Sequence, residues 1–277
     1  MPTTRPQAQP LCIGEFKSWQ ETVPRLLKST GLGKLISQNS HVLLKPNLVS
    51  IDPPPITSPV ELIEAIILHI RTEHPKVKIT VAEGCGSIEY DTWTPFRELG
   101  YEQMAKRLNV ELLDLNAAPL VKLSNPECTR WPEMHLPKIL FETFLISVPV
   151  LKAHSMAEVT LSMKNMLGVA PASHYNAGSW KKSAFHPHLH EAIFGLNRYR
   201  RPDFSILDAT VGMQEAHLWG PHCNPKPNIL AASQDPVSID AFGAQLLKRD
   251  WTKIPHIKMA DGILGSAIPS KIINLKD

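Results

Sequence analysis

HVLLKPN (residues 41–47), SPVELIEAIILHI (58–70) and KVKITVAEG (76–84) together decide the fold. The first is a short apolar run, read as a buried strand, that stops at Pro46-Asn47 and gives way to a proline-rich loop. Ser58-Pro59-Val60-Glu61 has the form of a capping box with proline in the first turn, so Ser58 is expected to cap and Glu61 to reach back. Val60, Ile63, Ile67 and Ile70 then recur at helical spacing, an apolar stripe that needs a sheet to cover it. Val77 to Ala82 reads as a second strand and runs into Glu83-Gly84. A strand–helix–strand unit of this length predicts parallel pairing with a right-handed crossover.

The same alternation extends outward in both directions. Leu11 to Ile13 reads as a strand and Ser18 to Leu27 as an amphipathic helix. Downstream, Pro95 to Leu108 reads as helix, Val110 to Leu113 as extended, and Phe144 to Val150 as a buried strand. His188 to Asn197 is a helix, Phe204 to Leu207 and Ile229 to Ser233 are strands, and Asp235 caps a helix that Pro236 opens and that runs to about Leu247. From Val159 apolar and polar residues alternate, which favours extended structure to about Ser162 and puts Thr160, Ser162 and Lys164 on one face. The fold class is therefore α/β, with a largely parallel or mixed central sheet and helices on both faces. Residues 11–277 are read as one domain, compact or bilobed, after a flexible proline-rich N-terminus at residues 1–10.

Composition narrows the function. The 277 residues can bury an extensive core, and 43% hydrophobic with 20% charged residues is an ordinary globular balance. The 25 prolines, against 14 glycines, imply stiff ordered loops, where sites are commonly built. A net charge of +3 with scattered basic residues lacks the concentrated footprint that nucleic-acid binding needs. The longest apolar run, near Leu62 to Ile70, is interrupted by Glu64 and His69 and is too short to span a bilayer. With no hydrophobic signal core at the start, the expectation is a cytoplasmic protein with no membrane partner. Cys12, Cys85, Cys128 and Cys223 form no C-x-x-C pair, so no ferredoxin-type iron–sulfur motif is present and reduced structural thiols are expected.

Ligands of parallel α/β sheets bind at the carboxyl ends of strands, beside helix starts. Lys45 and Asn47 follow one predicted strand, Thr57 and Ser58 open the helix after it, Glu83 closes the next strand, and Asp208 ends a later one. Lys152 and His154 end another and are followed by Thr160, Lys164 and Asn165. Lysine at such a place binds a carboxylate or phosphate, or acts as a base when desolvation lowers its pKa. A histidine beside lysines shuttles protons or holds a metal. In FHPHLH (185–190), His186 and His190 would share a face at i, i+4 if a helix begins near Pro187, which makes them the candidate metal ligands. Asp240, a turn into its helix, is explained by helix-start electrostatics, leaving Asp208 as the site carboxylate.

These pieces resemble a known family. VLLKPNLV (42–49), TSP (57–59), Glu83-Gly84, VPVLKAH (148–154) and VTLSMKNMLG (159–168) are similar to the domain of unknown function 362. Arg201-Pro202-Asp203, Leu207-Asp208-Ala209, Gly212-Met213, DPVSIDA (235–241) and ADGILG (260–265) continue the likeness. The resemblance implies a redox context in many relatives, through an appended iron–sulfur segment whose cysteines are missing from this sequence. Where relatives have a glycine-rich stretch, this chain has the bulkier GMQEAHLWGP (212–221).

The expectation is an enzyme acting on a small anionic substrate, a carboxylate or phosphate. Lys45, Asn47, Thr57, Ser58, Glu83, Thr160, Asn165 and Asp208 would bind it, while Lys152, His154 or Lys164 moves a proton in an isomerase- or lyase-type step. The rivals are a metal- or cofactor-handling protein serving a redox partner, with a divalent metal as candidate, and a noncatalytic small-ligand-binding protein.

Overall fold

In the computed structural model, which describes residues 6–37, 40–178 and 181–275, the central strand–helix–strand unit pairs in parallel. Along the chain, β1 (Leu11–Glu15), α1 (Trp19–Thr30) and α2 (Leu32–Leu35) lead to β2 (His41–Pro46), α3 (Val60–Glu73) and β3 (Lys78–Glu83). Next come α4 (Trp93–Glu98), α5 (Tyr101–Leu108), β4 (Glu111–Asp114) and a separate hairpin of β5 (Leu120–Ser124) and β6 (Glu133–Pro137). β7 (Phe144–Val148), β8 (Val150–His154), β9 (Glu158–Val159), α6 (Leu161–Asn165), α7 (Ala172–Tyr175) and α8 (Leu189–Tyr199) follow. The chain closes with β10 (Phe204–Met213), β11 (Ile229–Ser233), α9 (Pro236–Leu246), α10 (Pro255–Ala260) and β12 (Ile272–Asn274).

The main sheet runs β12-β1-β11-β10-β7-β2-β3-β4, with β8 beside the far end of β10 and β9 beside β8. The neighbours from β10 through β7, β2 and β3 to β4 are all parallel, while β11 lies antiparallel to both β10 and β1. The α/β class with a mostly parallel sheet is thus as the sequence predicts. Strand alternation sorts the core into two layers: Leu43 of β2 faces one, Val42 and Leu44 the other. One layer packs α6, α8 and α9 through Leu161, Ile193 and Ile239; the other packs α1, α3 and α5 through Leu26, Ile67 and Met104. Burying such Leu and Ile side chains stabilises by about 1.5–3 kcal/mol each, so both faces hold the sheet.

Several local expectations are corrected. Ser58 is no cap: Pro59 takes that position, and the Ser58 Oγ instead donates to the Val148 carbonyl at 2.7 Å and accepts from the Asn47 N–H at 2.9 Å. Linking two strand ends in the interior satisfies buried backbone groups that water cannot reach, and Glu61 is left at the surface. The predicted helix from Pro95 to Leu108 is two helices, because Gly100 takes a left-handed φ of 81° between α4 and α5. Pro149 likewise divides the predicted strand from Phe144 to Val150 into β7 and β8.

The alternating segment after Val159 is the largest correction. Extended structure ends at Val159, and α6 begins at Leu161, whose φ is 48°. Asp240 enforces the turn: its carboxylate accepts from the Ser162 N–H at 2.7 Å and the Met163 N–H at 3.0 Å. Desolvation raises the Asp240 pKa to about 8 against these two bonds, and together they offset a left-handed leucine, a strain of about 1–3 kcal/mol. Asp240 is therefore more than a charge near its own helix start. Ser162 leaves the predicted polar face and bonds Ser205 Oγ at 2.7 Å. Asp235 does cap α9 as expected, accepting from the Val237 N–H at 2.9 Å.

Of the N-terminal segment read as flexible, residues 1–5 lie outside the described residues, while the Gln9 and Pro10 carbonyls accept from the Ser270 N–H and the Ser233 Oγ. Among the described residues, no helix is long and apolar enough to cross a membrane.

Candidate functional site

The carboxyl ends of β2, β3, β7 and β8 carry most of the predicted site residues to one edge of the sheet. Two groups form there, and they differ in how fully their polar atoms are satisfied.

The first is a closed frame. Lys45, fully buried, donates to Glu83 Oε1 at 2.8 Å, to Asn165 Oδ1 at 3.2 Å and to the Pro46 carbonyl at 3.1 Å. An ammonium has three donors, and all three are engaged within the protein. Desolvation lowers the Lys45 pKa, and the Glu83 carboxylate opposes that shift. Glu83 also accepts from the Leu48 and Gly84 N–H groups, at 3.0 and 2.8 Å. Asn165 returns its amide to the Lys45 carbonyl and Ser147 Oγ, both at 3.1 Å, and Asn47 Nδ2 donates to Asn165 Oδ1 at 3.2 Å. Thr57, also buried, donates to the Asp52 carbonyl. Asn47, Ser58, Glu83 and Asn165 are thus tied chiefly to one another and to the backbone, and the Thr57 hydroxyl to the backbone.

Lys182 completes the frame and nothing in its sequence neighbourhood marks it out. It is buried with a left-handed φ of 61°, and its Nζ donates to the carbonyls of Gly84 and Gly168. Desolvation, opposed by Glu83, brings its pKa to about 8. Gly168 is required for this closeness: a Cβ there would lie 2.2 Å from Glu83 Oε1 and 2.5 Å from Lys45 Nζ.

The second group is underbonded. Lys152 is only 1% exposed, and among the described residues its Nζ has a single hydrogen bond, to the Ile56 carbonyl at 2.6 Å. Desolvation, then the charge of Lys164, lowers its pKa to about 7, against the opposing pull of Glu83 and Asp52. Lys164, half-buried, has no hydrogen-bond or ion-pair partner among the described residues, and desolvation brings its pKa to about 8. The Thr160 N–H bonds the Lys152 carbonyl at 2.9 Å, yet its buried Oγ1 has no partner, and Asn47 Oδ1 is likewise unpartnered. Buried polar atoms without partners are uncommon in folded proteins, and one of them belongs to Thr160, bonded through its backbone to Lys152.

His154 is held as a neutral ring. Its Nδ1 accepts from the Met156 and Ala157 N–H groups, both at 3.2 Å, which puts the proton on Nε2. Desolvation, then Lys164, His217 and Lys152, push its pKa down to about 2. His217, from the bulky loop after β10, stacks on it with centroids 4.1 Å apart, and desolvation with Lys164 and Lys152 brings His217 to about 4. The histidine in GMQEAHLWGP is the one signal in the sequence for this contact.

Asp208 lies inside β10 rather than at its end, with its N–H bonded to the Pro149 carbonyl at 3.0 Å. Asp208 is buried and accepts from the Thr210 N–H at 2.9 Å and Oγ1 at 2.8 Å; desolvation raises its pKa against those bonds. His186 and His190 diverge in their surroundings. His186 is half-buried and feels Lys164, whereas the His190 Nδ1 lies 2.9 Å from Nδ1 of His256. Helix α8 begins at Leu189, so the pair does not sit on one continuous helix from Pro187. Among the described residues no group of three or more His, Cys, Asp or Glu side chains is placed to hold a metal ion. All four cysteines are free and buried.

A thylakoid-associated protein of Synechocystis sp. is 26% identical over 236 residues, covering 81% of this chain and 68% of the relative. The profile of the domain of unknown function 362 matches residues 42–245. That match opens in β2 and closes in α9, enclosing the frame, the underbonded lysines and the Asp240 tie, and the chain belongs to the domain of unknown function 362 family.

Proposed function

We propose that this protein is an enzyme that binds a small anion, a carboxylate or phosphate, and moves a proton on it in an isomerase- or lyase-type step. The observation that carries the reading is the pairing of Lys152 and Lys164, two lysines with depressed pKa values and no carboxylate bonded to either. A buried cation without a counter-ion is costly, and a bound anion is the natural way to offset that cost. Lys164 holds the anion. Lys152, with a pKa of about 7, carries the proton, because a group poised near ambient pH both takes and gives protons readily.

The remaining roles follow from bonding state. Thr160 Oγ1 and Asn47 Oδ1 are free to bond the ligand. His154, neutral with its proton on Nε2, donates a hydrogen bond rather than shuttling a proton. Lys45, Glu83, Asn165 and Ser58 fix the backbone around the site instead of touching the ligand. The reading includes a cytoplasmic location and no nucleic-acid partner; the thylakoid association of the Synechocystis relative makes a membrane fraction the alternative to assay.

Thermal unfolding with inorganic phosphate, pyruvate and lactate, each at matched ionic strength, tests the binding half. Stabilisation of the protein that is lost in Lys164→Met supports it; equal shifts in both, or none, refute it. Turnover of the stabilising anion then separates an enzyme from a noncatalytic binder.

A further inference from the structure

Resting on that reading, we propose that Lys152 is a nucleophile whose amine condenses with the carbonyl carbon of a small oxo acid while Lys164 holds the carboxylate. The bonding around Nζ supports this. Three buried lysines occupy this strand-end region, and their environments contrast. Lys45 is given three acceptors, one of them a carboxylate, and Lys182 two backbone carbonyls; Lys152 is given one carbonyl. An ammonium needs acceptors for all three protons, whereas a neutral amine needs fewer and keeps a lone pair. Lys152 has the surroundings of the amine.

The charged and titratable groups around Lys152 fit the same role. Lys164 from α6, Glu83 from β3 and Asp52 from the loop before α3 act on it, and it acts in turn on His154 of its own strand and on His217 of the loop after β10. None of them forms an ion pair with it. A second cation beside a desolvated lysine is an established way to keep an amine unprotonated and reactive.

The chemistry balances without a further reagent. The Nζ lone pair forms a bond to the carbonyl carbon as the C=O π pair moves onto oxygen. Oxygen gains a proton and nitrogen loses one, giving a carbinolamine. Protonation of the new hydroxyl then expels water and leaves a C=N bond, and hydrolysis reverses the sequence. The Thr160 hydroxyl, buried and unpartnered one strand pairing away, and the His154 Nε2–H are the donors available to the departing oxygen. The resulting iminium withdraws electrons from the neighbouring carbon, which serves both isomerisation and elimination.

The test incubates the intact protein with pyruvate or with acetoacetate and then adds sodium borohydride. Hydride reduces the C=N bond to a secondary amine, so the protein gains the mass of the acid less one oxygen. Peptide mapping is expected to place the adduct on Lys152, at least about tenfold above any surface lysine, since ordinary lysines are almost wholly protonated at pH 7. Loss of the adduct in Lys152→Met, with thermal unfolding retained, supports the assignment; mapping the unmodified sequence serves if that variant does not fold. No adduct, or one spread evenly over surface lysines, overturns the proposal. Lactate and phosphate, which have no carbonyl carbon to condense, keep the two readings distinguishable. If they stabilise the protein through Lys164 while no adduct forms, the nucleophile is refuted and the anion site stands. If neither stabilisation nor adduct is seen, both fall.

Discussion

Replacing Lys152 by Met should make the protein more stable at pH 6 and not at pH 10. Lys152 is buried, and its pKa falls from the ordinary 10.5 to about 7. Because the folded value is the lower one, the unfolded chain binds the extra proton, and stability rises with pH between about 7 and 10.5. Below pH 7 the penalty is complete, about 5 kcal/mol at 1.4 kcal/mol per pH unit. Met keeps the volume and removes the charge, but it leaves the buried Ile56 carbonyl unpaired, at a cost of about 1–3 kcal/mol. The variant should therefore gain roughly 2–4 kcal/mol at pH 6 and be equal to or less stable than the parent at pH 10, where the folded lysine is neutral and the remaining penalty is below about 1 kcal/mol. Urea unfolding of both proteins at pH 6, 8 and 10 measures the difference, with the other titrating groups common to the pair. A difference independent of pH, or a loss of stability at pH 6, would refute the reasoning.

Three further outcomes follow from the same geometry. Gly168→Ala forces a methyl group against Glu83 and Lys45 and should cost about 3 kcal/mol by prying at a buried ion pair, read as a lower urea midpoint. Asp240→Ala leaves the Ser162 and Met163 N–H groups without acceptors, and should cost about 2–6 kcal/mol and speed amide hydrogen exchange at α6. Anion binding should weaken as pH rises through about 7 to 8, where Lys152 and Lys164 lose their protons, and binding near pH 8 should take up protons; calorimetry in two buffers of different ionisation enthalpy measures that uptake.

The fold was legible wherever local patterning and tertiary packing agree. The apolar runs of β2 and β3 and the stripe of α3 could only be satisfied by a sheet covered on both faces. Asp235-Pro236 behaves as its residue types dictate because its cap bonds are local. Where a distant residue decides, the sequence is silent. The Ser58 box yields to the Val148 carbonyl, 90 residues away, and the alternation after Val159 yields to Asp240 across 78 residues. The site follows the same rule. Lys45 and Lys152 were visible as lysines ending apolar strands, yet only the structure separates one with three acceptors from one with a single carbonyl. Lys182 and His217 come from loops, whose destinations no periodicity encodes.

The central claim is that an anion sits at the underbonded lysines and not at the frame. A crystal structure of the protein grown with pyruvate tests it most directly. Density is expected at Lys152 Nζ and Lys164 Nζ, within bonding distance of Thr160 Oγ1, with the Lys45–Glu83–Asn165 bonds unbroken. Pyruvate bound at Lys45 with Glu83 displaced, or bound only away from both lysines, would contradict it.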